Sequence, residues 1–275
     1  VKKIKSLFEF YIHGNIHVAL SVWSMAQITG LYFDFSPGKS SLFLALATIL
    51  SYNFIRYVKY KNKDLQNHLY AWFSLNKTIL LWINVLVGIA FVYLVFQFNI
   101  QALLVLIPFG VATLLYMLPV LKWKGTTYSF RKIPGFKIFC IAISWSGVVV
   151  FFPIQVHGME LGSLAILFFR LQFLFVFLLT LPFDIRDVNF DDNGLKTIPQ
   201  WLGLNYSKIL GFSITLIIAF LQLHYFYKTA VIMLFGTILA SLFLFFSKPN
   251  QSKYYASFWV EAVPIFTYLF GVLFL

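Results

Sequence analysis

Acid is what this sequence has least of. Asp and Glu together number nine in 275 residues, and all charged residues make up 11%, well below the share in ordinary soluble domains. A chain this poor in charge cannot cover a water-facing surface, which excludes a soluble globular domain. Cysteine occurs once, at Cys140, so no internal disulfide can form, and the residue is read as a small core side chain. Lys and Arg outnumber the acids, giving a formal net charge of +12. They are scattered over loops and do not form a basic domain, so nucleic acid is excluded as a partner and anionic lipid headgroups account for the excess. The basic start is not followed by a short apolar stretch with a small-residue cleavage site, and no removable signal peptide is expected.

What fills the chain is apolar: 60% hydrophobic and 20% aromatic residues, with a mean hydropathy of +0.84. Runs of about 17 to 22 apolar residues, long enough to cross a hydrocarbon core of about 30 Å, recur near 16 to 33, 41 to 58, 77 to 97, 102 to 121, 136 to 156, 161 to 182, 205 to 224, 229 to 246 and 257 to 274. The expected fold is therefore all-α, a polytopic membrane protein with nine transmembrane helices. Lys2, Lys3 and Lys5, then Arg56 to Lys63, then Lys122 to Lys137 and later Arg186, Lys196, Lys208, Lys248 and Lys253 fall on one side, against Lys39 and Lys228 on the other. By the retention of Lys and Arg on the cytoplasmic face, the N-terminus is cytoplasmic, and the expected location is a bacterial inner membrane. Residues 1 to 13 read as an amphipathic helix lying on that surface. His13 and His17 are spaced to share a metal, but without a third ligand hydrogen bonding or cavity lining is the better reading. Arg170 falls near mid-membrane by these boundaries, where a charge must face protein or a wet cavity.

Four of the nine acids, Asp184, Asp187, Asp191 and Asp192, lie in the segment Leu181 to Pro199, directly after the sixth apolar run and on the cytoplasmic side. Such a cluster can be a solvated loop or can hold magnesium, which takes one or two carboxylates and completes its shell with water and phosphate oxygens. If the helix continues to Asp191, the spacings of three and four place Asp184, Asp187 and Asp191 on one face. The second and sixth spans run in the same direction and open into long cytoplasmic loops. This hints at a four-helix duplication that would set Asn53 and Arg56 opposite the aspartates across a shared cavity. Asn53 and Arg56 also lie deeper than the snorkelling lysines after them, where polar groups need partners.

These residues resemble the UbiA superfamily of intramembrane prenyltransferases, a nine-helix fold with a cytoplasm-facing cavity. Asp184-Ile-Arg-Asp187, Asp191, Gly194, Lys196-Thr197, Pro199 and Leu202-Gly203 are similar to its second aspartate-rich motif. Tyr116, Pro119 and Lys122 resemble the tyrosine, proline and basic residue after its fourth helix, and Tyr254-Tyr255 its aromatic pair before the last. The first motif, set on Asn53, has Phe54, Tyr57 and Lys61 where the family carries aspartates.

The resemblance covers nearly the whole chain and implies one UbiA-like domain over residues 1–275. It also implies magnesium as cofactor on Asp184, Asp187 and Asp191, and a polyprenyl diphosphate with a lipophilic, aromatic or lipid acceptor as reactants. Ionising an allylic diphosphate needs electrostatic stabilisation of the leaving group and a water-poor, aromatic-walled cavity for the cation. Asp184, Asp187 and Asn53 are the expected catalytic residues, and Lys122, Arg131, Arg56, Tyr116 and Lys196 the expected substrate contacts. The alternative is a catalytically inactive member of the fold that binds lipid or a partner protein. A transporter fits less well, because the acids gather at one face and the spans lack paired midplane interruptions.

Overall fold

A computed structural model describes residues 2–63, 65, 67–117, 121–123, 126–128, 133, 135–191 and 193–274; for 2–3, 67–68, 116–117, 121–123, 126–128 and 193 it describes the backbone. The chain is a bundle of helices. α1 (Lys2–His13) is followed by α2 (Ile16–Phe33), α3 (Gly38–Lys61), α4 (Asn67–Val95) and α5 (Ile100–Met117). After α6 (Phe136–Val156) and α7 (Ser163–Asp187) come the short α8 (Ile198–Leu202), α9 (Leu204–Tyr225) and α10 (Ala230–Phe246). A π-helical turn, Tyr255–Val260, leads into α11 (Val263–Phe274).

The expected all-α class holds, with one departure among the described residues. After α5 a small antiparallel hairpin pairs β1 (Leu121–Trp123) with β2 (Thr126–Tyr128), so α5 stops at Met117 and does not run to residue 121. Seven helices are long and apolar enough to cross a membrane, and α5 and α10 are shorter apolar helices at the places of the fourth and eighth expected runs. α4 begins ten residues before the expected start of its span, at Asn67. The polar stretch before Lys77 contains no Gly or Pro to break a helix, and Phe73 buries itself there at 4% exposure.

α6 lies centrally, packed on α2, α3, α5 and α7; α7 continues to α9 and α10, and α11 returns to α2. The packing relies on aromatic side chains and on glycines where helices come close. A side chain at Gly236 of α10 would collide with Thr267 of α11, and one at Gly147 of α6 with the Phe109 ring of α5. Phe152, Phe168 and Phe175 are fully buried in one apolar cluster with Met25, Leu178 and Leu181.

Arg170 is exposed on α7. α7 runs to Asp187 and spans 25 residues. Arg170 is thus only about 10 Å from its start at a rise of about 1.5 Å per residue, close enough for its long side chain to snorkel to that interface.

Candidate functional site

α7 sets the site. The face it turns toward the bundle interior carries Val176, Thr180, Asp184 and Asp187, one turn apart, so the helix presents carbon deep in the bundle and carboxylates at its end. Pro182 sits inside this helix and leaves the carbonyl one turn before it without its usual partner. The helix ends at Asp187, and Asp191 is not on it; the Asp187 carbonyl accepts the N–H groups of both Phe190 and Asp191 at 2.8 Å. The three aspartates therefore do not share one helical face as expected. They converge because the chain turns back after Asp187.

α2, α3, α6 and the π turn complete a cavity of about 400 Å³. Its deep part is lined by Met25, Ile141, Trp145, Val176, Leu179 and Val260, and its mouth by Tyr52, Lys59, Lys137 and Glu261 with the aspartates. On α6, Lys137, Ile141 and Trp145 repeat the order of α7: charge at the mouth, carbon one turn deeper, an aromatic ring beyond. Tyr52, Trp145 and Phe183 supply aromatic faces.

Each aspartate has a cation. Lys137 Nζ lies 2.8 Å from Asp184 Oδ1 and 2.9 Å from Asp191 Oδ2. Asp184 is 1% exposed, with the Lys137 ammonium against Oδ1 and no hydrogen-bond donor at Oδ2 among the described residues. Arg186 grips Asp187 with both ends of its guanidinium, Nε to Oδ1 and Nη2 to Oδ2 at 2.7 Å each. This side-on fork is the strong form of the pair. Arg186 also donates to Ser257 at 3.2 Å. Among the described residues no three Asp, Glu, His or Cys side chains stand together as a ready metal site, because Lys137 occupies the point where two of the carboxylates meet.

Glu261 faces the charges of Arg186 and Arg56, and the π turn aims it. Its N–H reaches back five residues to the Ala256 carbonyl at 3.1 Å, a one-residue bulge of the kind that recurs at functional sites. The same turn offers the Phe258 carbonyl to His17. His17 Nε2 donates to that carbonyl at 2.8 Å, so Nδ1 accepts from the Tyr11 hydroxyl at 2.7 Å. Burial and the nearby Glu261 charge push the Tyr11 hydroxyl pKa up, which keeps it a neutral donor. Both His17 nitrogens are thus used in hydrogen bonds, and His13 packs edge-on against Trp72.

Asn53, expected opposite the aspartates, does not line this cavity. It is buried at 3% exposure, accepts from Asn15 at 2.7 Å and donates to Asn84 at 3.2 Å. The register of α3 decides this. Tyr52 and Lys59, seven apart, face the aspartates, while Asn53, Phe54 and Tyr57 turn toward α4 and a different cavity. Arg56 follows the Tyr52–Lys59 stripe, with its Nη1 buried and without a hydrogen-bond partner among the described residues. Lys196 is exposed on the loop before α8, outside the lining. The side chains of Tyr116 and Lys122, and all of Arg131, lie outside the described residues.

Sequence reasoning passed over Lys137, which it counted as a topology lysine. A signal for Lys137 existed: it starts an i, i+4, i+8 stripe with Ile141 and Trp145 that mirrors the charge order on α7.

The fold is that of UbiA homologues. A UbiA homolog from Archaeoglobus fulgidus bound to GPP and Mg2+ matches with a TM-score of 0.64 at 15% identity, over 96% of this chain and 98% of that one. The same homolog bound to DMAPP and Mg2+ matches at 0.62 and 15%, with the same coverage. Bound to Cd2+ it matches at 0.60 and 13%, over 93% and 95%. No protein-family model and no curated protein matches the sequence.

Proposed function

We propose that this chain is a single UbiA-like membrane domain that binds an isoprenoid diphosphate in the α7 cavity and transfers its prenyl group to a lipophilic acceptor. The observation that carries this reading is the gradient along the cavity walls. α6 and α7 both pass from charge at the mouth to apolar and aromatic side chains beneath, which matches a ligand with an anionic head and a hydrocarbon tail. Solved relatives in fold were bound to GPP or DMAPP with Mg2+.

In this reading the tail lies against Met25, Ile141 and Val176, and the diphosphate meets Lys59 and Arg56 on the α3 wall. As the bond from the allylic carbon to oxygen breaks, the electron pair leaves with the diphosphate. Lys59 and Arg56 stabilise that growing charge in a site of low dielectric. The rings of Tyr52, Trp145 and Phe183 offer electron-rich faces to the allylic cation and, with the apolar floor, keep water from it. The acceptor carbon then bonds to the cation and loses a proton.

The site fits one magnesium ion in competition with Lys137. Asp184 and Asp191 already converge on a single cation, the lysine ammonium, and the buried Asp184 Oδ2 lacks a hydrogen-bond donor among the described residues. Asp184 and Asp191 would hold the ion, which when bound would neutralise diphosphate charge. Phe54 and Tyr57 line another cavity, Lys59 lines the α3 wall here, and Arg56 lies on the same helical stripe one turn before it.

A second reading is favoured by one observation: Lys137 and Arg186 already pair with all three aspartates, as a non-catalytic lipid-binding or partner-binding descendant would require. Binding of polyprenyl diphosphates to the purified protein, with and without magnesium, separates the two. Magnesium-enhanced binding that Asp184→Asn abolishes, together with prenyl transfer to an acceptor, supports the enzyme. Binding indifferent to magnesium and to both Asp184→Asn and Asp187→Asn overturns it.

A further inference from the structure

On the far side of α3 from the aspartates, α3 and α4 enclose a second cavity, of about 650 Å³. Leu50, Phe54 and Tyr57 line it from α3, and Phe73, Lys77 and Leu81 from α4. Its base is closed by the buried Asn15–Asn53–Asn84 chain of side-chain hydrogen bonds. Its rim is open: Phe54 is 62% exposed, Tyr57 47% and Leu81 62%. On helices that cross a membrane, such an opening faces lipid.

The cavity holds charge at a defined depth. The membrane-spanning part of α4, taken as Leu69–Val95, is 27 residues long, about 40 Å at a rise of about 1.5 Å per residue. That exceeds a hydrocarbon core of about 30 Å. The last twenty or so residues suffice to span the core, which puts Lys77 at its edge, at the level of lipid phosphates. Lys61, one turn beyond Tyr57 on α3, places its ammonium over the Tyr57 ring, 5.7 Å from the centroid. Lys61 and Lys77 thus approach the Tyr60 side chain from two helices. Neither forms an ion pair with a carboxylate among the described residues.

We propose that this cavity is a binding site for one anionic phospholipid of the surrounding leaflet. The phosphate sits between Lys61 and Lys77, with the Tyr57 and Thr78 hydroxyls as donors, and an acyl chain runs down Leu50, Phe54 and Leu81. Charge complementarity selects the occupant: two lysines without acidic partners among the described residues, at phosphate depth, above an apolar slot open to the bilayer. A zwitterionic lipid brings its own cation to the same lysines and binds less well. The site is separate from the α7 cavity, and its occupancy does not depend on prenyl transfer.

Native mass spectrometry of the purified protein, incubated in detergent with phosphatidylglycerol or phosphatidylcholine, reads the occupancy directly. The unaltered protein should retain one phosphatidylglycerol at least about ten-fold more than phosphatidylcholine. The pair Lys61→Gln and Lys77→Gln should remove that preference, and Lys77→Arg should keep it. Leu81→Trp, which fills the slot, should release both lipids. Lys248→Gln, an exposed lysine elsewhere, should change nothing. Equal retention of the two lipids, a preference that survives the double variant, or an equal loss in Lys248→Gln would overturn the proposal. Melting temperatures of the same samples show that each variant is folded, and if the double variant is not, Lys77→Gln alone decides.

Discussion

Lys137 Nζ lies 2.8 Å from Asp184 Oδ1 on the wall of a cavity, and Asp184 is 1% exposed while the lysine is 15% exposed. Two helices that meet side by side each contribute one charge to the same buried point, and Asp191 adds a second carboxylate from the turn after α7. The pair therefore fixes both the packing of α6 on α7 and the charge that a ligand would meet.

Lys137→Met should be strongly destabilising. It leaves a buried carboxylate without its partner, a loss of about 3 to 5 kcal/mol, read as a fall in melting temperature of the detergent-solubilised protein. Millimolar magnesium should restore part of that loss in the variant by taking the vacated position between Asp184 and Asp191, and should do far less for the unaltered protein.

Asp187→Asn should be milder in stability than Lys137→Met. Its pair with Arg186 is 28% exposed on the aspartate side and 20% on the arginine side. The expected cost is about 1 kcal/mol, near the upper end for partly solvated pairs. Unfolding measured for both variants under the same conditions checks the order.

Glu261→Gln should raise affinity for inorganic pyrophosphate by about ten-fold, which corresponds to about 1.4 kcal/mol. Glu261 faces both Arg56 and Arg186, and Gln in its place removes the negative charge that its ionised form sets against them. Titration calorimetry at fixed ionic strength measures the change. Weaker binding in the variant would mean that Glu261 serves chiefly to hold the two arginines in place.

Met25→Trp and Val176→Trp fill the deep end of the cavity. Both should weaken binding of long isoprenoid diphosphates and spare the five-carbon one, since the added ring displaces tail and not head. A binding series over chain length tests this.

Much of the fold was legible in the sequence because crossing a membrane is a local demand: a run of some twenty apolar residues marks a helix wherever it occurs. The aspartate segment was legible for the same local reason, since acid is so rare elsewhere. The small hairpin after α5 and the early start of α4 were not, because both lie in polar stretches that hydropathy does not resolve.

The partners within the site were hidden by a different cause. In a soluble helix the apolar stripe shows which face turns inward. On α3 one face meets lipid and the other a greasy cavity, so both are apolar and the rotation leaves little trace. Only packing against α4 and α6 turned Asn53 toward Asn15 and Asn84 and brought Tyr52 and Lys59 to the aspartates. The sequence by itself determined a membrane bundle with one acidic end; the tertiary structure decided which cation each acid faces, because ion pairs between helices depend on rotation and approach that no single helix encodes.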